Sequence, residues 1–246
     1  MTRLLAIAVL LGWTACQAGA ETCRNEIYEG NKYSVCEVDL NSDKLGLFLY
    51  AADGSPYGYF STLDKALKEQ GKRLGFAMNA GMYHENRAPV GYYLENGEQV
   101  QRVISSAGPG NFGLVPNGVL CLRAGRADVF ETKRFMRQAP KCTSATQSGP
   151  MLVIDGKLHP KFLKDGTSRY VRNGVGTSAD GKKAYFAISN EVVNFYDFGV
   201  FFRDGLKLPN ALYFDGNISR MRAPELGRND IGFSPLGPII GVVADQ

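Results

Sequence analysis

Histidine is scarce in this 246-residue chain: His84 and His159 are the only two. That excludes a three-histidine metal site and leaves a Ser-His-Asp triad only these two candidates for its base. No G-x-S-x-G elbow is present to offer the serine. C-x-x-C pairs are missing too, so a thioredoxin-like motif or a zinc knuckle has no support. Neither sign of charge dominates. Twenty-eight basic against 24 acidic side chains leave +4, too slight and too evenly spread for a nucleic-acid footprint. The one extended apolar run, Leu4 to Gly12, is too short to span a bilayer as a permanent anchor. Glycine is plentiful: 29 glycines and 11 prolines suggest many turns and few long helices. With 44% apolar residues, the chain can bury a full core.

Arg3, the apolar run and the small-residue exit Ala18-Gly19-Ala20 have the layout of a secretory leader, which predicts cleavage near Ala20 and a periplasmic or secreted protein. Trp13-Thr14-Ala15-Cys16 spells a rival lipoprotein site, but Trp13 stands where a small aliphatic residue is expected. Cleavage removes residues 1–20 and leaves one domain, residues 21–246, with charge +3 because the leader carries only Arg3. It also removes Cys16, so the five cysteines become four, an even set suited to an oxidising compartment. Cys23 with Cys36 and Cys121 with Cys142 is the most local of the three possible pairings.

Short apolar runs bounded by Gly, Asn and Pro have strand length: Leu45 to Tyr50, Leu74 to Met78, Val90 to Leu94, Val100 to Ile104, Gly118 to Leu122, Ala127 to Glu131, Pro150 to Ile154, Ala184 to Ser189, Ala211 to Phe214 and Pro238 to Val243. Asn96-Gly97 predicts a tight hairpin. Two helices are expected. Ser61 to Gln70 opens on Ser-x-x-Asp and stops at Gly71; Asn194 to Asp204, capped by Asn194, places Phe195, Phe198, Phe201 and Phe202 on one face. The fold class is therefore α+β: a single domain with a twisted mixed or antiparallel sheet and few helices.

Gly108 to Gly113 spells G-x-G-x-x-G, but Pro116 and Gly118 follow where a helix must begin, so dinucleotide binding is excluded. Asn217-Ile218-Ser219 spells a sequon directly after a turn and carries little weight. His159 precedes Pro160 in a charged loop, a solvated setting. His84 instead follows Asn79-Ala80-Gly81-Met82-Tyr83 at the end of an apolar strand, a reasonable place for a polar site. Other polar groups also stand at strand ends: Gln147-Ser148-Gly149, Arg169 with Arg172, Asn190-Glu191, and Asp215-Gly216-Asn217. If they converge, they supply amides for hydroxyls, guanidinium forks for phosphate and carboxylates for acid, base or nucleophile, a set suited to a sugar phosphate.

Asn79-Ala80-Gly81-Met82, Gln147-Ser148-Gly149-Pro150-Met151-Leu152, Arg172-Asn173-Gly174-Val175-Gly176 and Leu212-Tyr213-Phe214-Asp215-Gly216, in that order, resemble the phosphodiester glycosidase family. Asn79 and Gly81 match its Asn-Gly-Gly turn with Ala80 substituted, Ser148 and Gly149 its Ser-Gly-Pro segment, and Arg172 its Arg segment. Asp215 and Gly216 match the start of its Asp-Gly-Gly-Gly-Ser loop, where Asn217-Ile218-Ser219 replaces the later glycines. The resemblance implies hydrolysis of a glycosyl-1-phosphate diester on a phosphorylated or envelope glycan. Asp215, Glu191 and His84 are then the catalytic candidates; Asn79, Gly81, Ser148, Gly149, Arg169, Arg172 and Gly216 would bind substrate or phosphate. No cofactor, metal or nucleic-acid partner is expected. The competing expectations are a non-catalytic glycan-binding envelope protein on the same scaffold and a purely structural periplasmic domain.

Overall fold

The computed structural model describes residues 22–246. The predicted leader and its rival site at Cys16 lie outside the described residues.

Alternating side chains dictate the architecture. In the strand Lys72–Asn79, Phe76 and Met78 face one way and Ala77 the other; a register irregularity opposite Gly241 and Val243 turns Leu74 to the side of Ala77, and all four are buried. Leu120 and Leu122 against Val119 and Cys121 repeat the pattern in Gly118–Arg123, as do Leu212 and Phe214 against Ala211 and Tyr213 in Asn210–Asp215. Strands apolar on both faces need cover on both sides.

Three sheets meet this need by sharing a central core. A seven-stranded sheet runs in the order Thr22–Tyr28, Asn31–Asp39, Lys183–Ser189, Asn173–Thr177, Asn210–Asp215, Met151–Ile154, Lys157–Leu158. A second sheet orders Arg228–Asn229, Met221–Ala223, Lys72–Asn79, Ile239–Asp245 and Lys44–Phe48. The third orders Glu98–Gln101, Tyr93–Glu95, Ser144–Ser148, Gly118–Arg123 and Arg126–Glu131. Their strand pairs are antiparallel, which resolves the mixed-or-antiparallel expectation. Phe76, Leu120, Phe186, Leu212 and Ile240 join all three sheets in one cluster.

Each outer face carries a helix. Phe60–Lys68 (α1) packs Leu63 and Leu67 against Leu74 and Ile239. Thr132–Gln138 (α2) packs Phe135 against Val119 and Ala145. Phe195–Val200 (α3) continues as a π-helical turn, Phe201–Gly205, and packs Phe198, Phe201 and Phe202 against Tyr33 and Leu152.

The predicted cap of α3 is present: Asn194 accepts the Asp197 N–H at 2.8 Å. The predicted capping box of α1 is not. Its cap position is Tyr59 without a side-chain bond, and Asp64 instead accepts the Leu74 N–H at 2.9 Å and pairs with Lys68. Helix α2 was not expected; Glu131 caps it by accepting from Lys133 and Arg134 N–H. Asn96 and Gly97 form the predicted hairpin turn, both at positive φ. Both local disulfides are present, Cys23–Cys36 and Cys121–Cys142. Among the described residues, no helix is long and apolar enough to cross a membrane.

Candidate active site

The three sheets bring strand termini together at one place. Asn79 ends its strand in the second sheet, Ser148 in the third and Asp215 in the first, with Asn173 beginning the neighbouring strand. Asn79 and Asn173, both fully buried, form the hub. Asn173 Nδ2 donates to Asn79 Oδ1 at 3.0 Å and to Asn79 O at 3.1 Å, while its Oδ1 accepts the Asp215 N–H at 3.0 Å. Asn79 Oδ1 also accepts the Arg220 N–H at 2.9 Å, and its Nδ2 donates to Ile218 O at 2.8 Å. Asn173 of the first sheet thereby holds the start of the 215–220 loop and Asn79 of the second sheet its end, and the two amides are bonded to each other. Ser219 closes the loop on itself, its hydroxyl donating to Asp215 O at 2.6 Å.

Ser148 and Thr146 tie in the third sheet. Ser148 Oγ donates to Phe214 O at 2.8 Å and Thr146 Oγ1 to Ala80 O at 2.7 Å. Gly81 sits at φ +126°, a region that side chains disfavour, and faces Thr146. Gly149 packs directly on Asn117.

Arg172 has no exposed surface. Its Nε donates to Val193 O at 2.9 Å, Nη2 to Ser168 O at 2.8 Å and Nη1 to Tyr213 Oη at 3.2 Å; the guanidinium stacks on Phe195 with Cζ 3.6 Å from the ring centre. No carboxylate pairs with it among the described residues. Burial lowers its pKa, yet a guanidinium titrates so high that the group stays a cation. Gly216 lies against it: a Cβ there would overlap the Tyr213 hydroxyl and stand 3.5 Å from Arg172 Nη1. The Asp215 carboxylate accepts the Asn217 N–H at 2.9 Å. Burial nevertheless raises its pKa, outweighing the pull of the Asn217, Gly216 and Ile218 amides.

The other candidates bond to residues outside this cluster. Glu191, two residues beyond the strand Lys183–Ser189, is exposed and accepts the Lys32 N–H at 2.9 Å. Arg169 is exposed, donates to Val192 O and pairs with Asp197 at 3.6 Å. His84 lies exposed in the turn that closes on Ala88. His159, expected to be solvated, is buried: its Nδ1 accepts the Lys161 N–H at 3.3 Å and its ring stacks on Phe162. Sequence reasoning missed the roles of Asn173, Tyr213 and Arg220. Asn173 and Tyr213 sit inside the quoted motifs, but nothing in the sequence marks one as a hub and the other as a guanidinium partner.

These features define a class: an α+β domain whose three antiparallel sheets deliver polar groups to one strand-end cluster. Residues 72–243 match the model of the family described as phosphodiester glycosidase, and the chain belongs to that family. It is similar to Uncharacterized protein YigE of Escherichia coli (strain K12), at 33% identity over 184 residues, covering 75% of this chain and 71% of that one. Among solved structures it resembles the zebrafish N-acetylglucosamine-1-phosphodiester alpha-N-acetylglucosaminidase catalytic domain, auto-inhibited by its pro-peptide. The TM-score is 0.61 at 12% identity, over 91% of this chain and 82% of that one. A hypothetical protein from Synechocystis gives 0.59 at 13% identity, over 91% and 62%. At such identities the likeness is one of fold.

Proposed function

We propose that this protein is an exported hydrolase that breaks the sugar–phosphate bond of a glycosyl-1-phosphate diester in a phosphorylated or envelope glycan. The observation that carries the reading is a half-buried carboxyl, Asp215, whose neighbour Gly216 lies against a fully buried guanidinium, Arg172, that lacks a carboxylate partner among the described residues. Ordinary glycosidases need two carboxyl groups, one to protonate a poor leaving group. A phosphomonoester leaves without strong protonation, so one carboxylate and a cation suffice.

In the proposed reaction the bond between the anomeric carbon and the phosphate oxygen breaks, and the electron pair leaves with the phosphate. Water supplies the hydroxyl of the freed sugar, and its remaining proton passes to solvent. Arg172 meets the charge growing on the phosphate. Asp215 supports the oxocarbenium-like centre or activates the water. Asn79, Gly81, Ser148, Gly149 and Gly216 shape the site around the diester, and the loop clamped by Asn79 and Asn173 fixes Asp215. Glu191 and His84 are given no part in it: the Glu191 carboxylate accepts the Lys32 N–H, and His84 lies exposed in its own turn. Two disulfides support export, and residues 1–20 would be the leader.

The test incubates the mature chain with a panel of N-acetylglucosamine-1-phosphodiesters and measures free sugar. Release by wild type, with loss in Asp215→Asn and Arg172→Ala, is the expected outcome. Near wild-type turnover in both variants would overturn the residue assignment. Binding without release would favour the glycan-binding alternative.

A further inference from the structure

We propose that the Tyr83 hydroxyl is a substrate-binding donor of this site, making a hydrogen bond to a phosphate oxygen of the bound diester; the proposal rests on the phosphodiester reading above. Tyr83 directly follows the Asn79–Met82 turn. Its backbone is held by an antiparallel bridge to Pro89. Its ring packs on Gly237, where a Cβ would stand 2.5 Å from Tyr83 Cγ, and Arg87 lies over the ring with Cζ 5.6 Å from its centre. The ring is therefore confined, and the position of its hydroxyl is set in advance of any ligand.

That hydroxyl is buried and its O–H has no acceptor, while the Gly237 amide N–H acts only on its oxygen. A buried donor left unpaired costs stability and needs an explanation. Two charged groups of the site act on it: the Asp215 carboxylate and the Arg220 guanidinium. Arg220 in turn donates its backbone N–H to Asn79 and its Nη1 to Ser234 O at 2.8 Å, and has no carboxylate partner among the described residues. An anionic, oxygen-rich group lodged among Asp215, Arg220 and Tyr83 would complete the coordination of Arg220 and give the hydroxyl its missing acceptor.

The chemistry is donation without proton transfer. Burial first, and then Asp215, push the phenol up to about 12 against the pull of Arg87, Arg220 and the Gly237 amide. A phosphomonoester oxygen is a far weaker base than such a phenoxide, so the proton stays on Tyr83. Removal of the hydroxyl should lower the rate without moving the pH profile.

A second tyrosine supplies the control. Tyr33 also has a buried hydroxyl without a partner, but its ring is stacked on Phe201 at 3.9 Å in the aromatic core beneath α3. The experiment compares Tyr83→Phe and Tyr33→Phe for kcat/KM on the diester panel, thermal midpoint and affinity for N-acetylglucosamine 1-phosphate by calorimetry. Tyr83→Phe should lose about 10- to 100-fold in kcat/KM, the scale of a hydrogen bond to a charged group. It should also bind the sugar phosphate more weakly at an equal or higher midpoint. Tyr33→Phe should keep both turnover and affinity. If Tyr83→Phe retains turnover and affinity within about twofold, a change smaller than one neutral hydrogen bond, the proposal is overturned while the enzymatic reading stands. If wild type neither cleaves the diesters nor binds the sugar phosphate, the phosphodiester reading falls and this proposal with it.

Discussion

Asp215 is held in an environment that disfavours its ionised form, and that has opposite consequences for stability and for activity. A carboxyl with a raised folded-state pKa contributes stability that is fully present below its unfolded pKa and is lost as pH rises through the folded value. At neutral pH its charge is therefore a burden on the fold. Asp215→Asn should raise the thermal midpoint at pH 7 while lowering turnover by at least about 1000-fold, as expected for loss of a group acting only in the transition state. An unchanged or lower midpoint would show that the amides of the 215–218 loop stabilise the charge after all. The acid limb of the wild-type kcat/KM profile should lie above the ordinary aspartate range, which a pH–rate series would measure. Arg172 answers to geometry more than to charge. Lysine keeps the charge but cannot serve Val193 O, Ser168 O and Tyr213 Oη together while lying flat on Phe195. Arg172→Lys should cost about 2–4 kcal/mol in urea unfolding, within the range for breaking a buried polar network. It should also reduce turnover on the diester panel.

At the scale of elements, the site depends on register between sheets. Asn79 joins the end of one sheet to the loop leaving another, so its removal strands the Arg220 N–H and the Ile218 carbonyl together. Asn79→Ala should destabilise the protein by about 2–6 kcal/mol, since two buried groups left unpaired cost about 1–3 kcal/mol each. It should also free the 215–220 loop, seen as faster amide exchange at Ile218 and Arg220; unchanged exchange there would refute the clamp. Much of this was legible in the sequence. Strand ends marked by Asn79, Ser148 and Asp215 do converge, and the Asn194 cap and the Asn96-Gly97 hairpin stand as expected. What escaped has physical causes. The N-terminal strand Thr22–Tyr28 is polar and charged, with no apolar run to announce it. Helix α2 has seven residues and draws its cap from the end of the preceding strand, so its signal merges with that strand. Ser61 and Asp64 spell a capping box, but Asp64 is drawn to the Leu74 amide of the adjoining strand, a tertiary bond that local pattern cannot foretell. Glu191 and His84 stand at strand ends as Asp215 does, but sequence order does not say that one is recruited by Lys32 and the other turned to solvent.

For the whole molecule, the central cluster shared by three sheets makes the domain one unit, and the two disulfides brace its margins. Cys23–Cys36 ties the first strand to the second, and Cys121–Cys142 fastens the third sheet to the segment following α2. Their sequence separations are 13 and 21 residues, and loop-closure entropy over such spans gives about 3 kcal/mol each. A single domain holds about 5–15 kcal/mol in all, so the pair is a large share of what keeps it folded. Urea unfolding with and without reductant should accordingly lower the unfolding free energy by about 6 kcal/mol when both bonds are cut. Each Cys-pair-to-Ala variant should account for about half of that. The bond Cys121–Cys142 sits beside the packing of Phe135, Val119 and Ala145, far in chain connectivity from the 215–220 loop. Its removal should therefore cost stability while leaving turnover on the diester panel intact at temperatures well below the new midpoint. A loss of turnover equal in both Cys variants, with the fold still intact by circular dichroism, would instead tie the margins of the sheets to the geometry of the strand-end site.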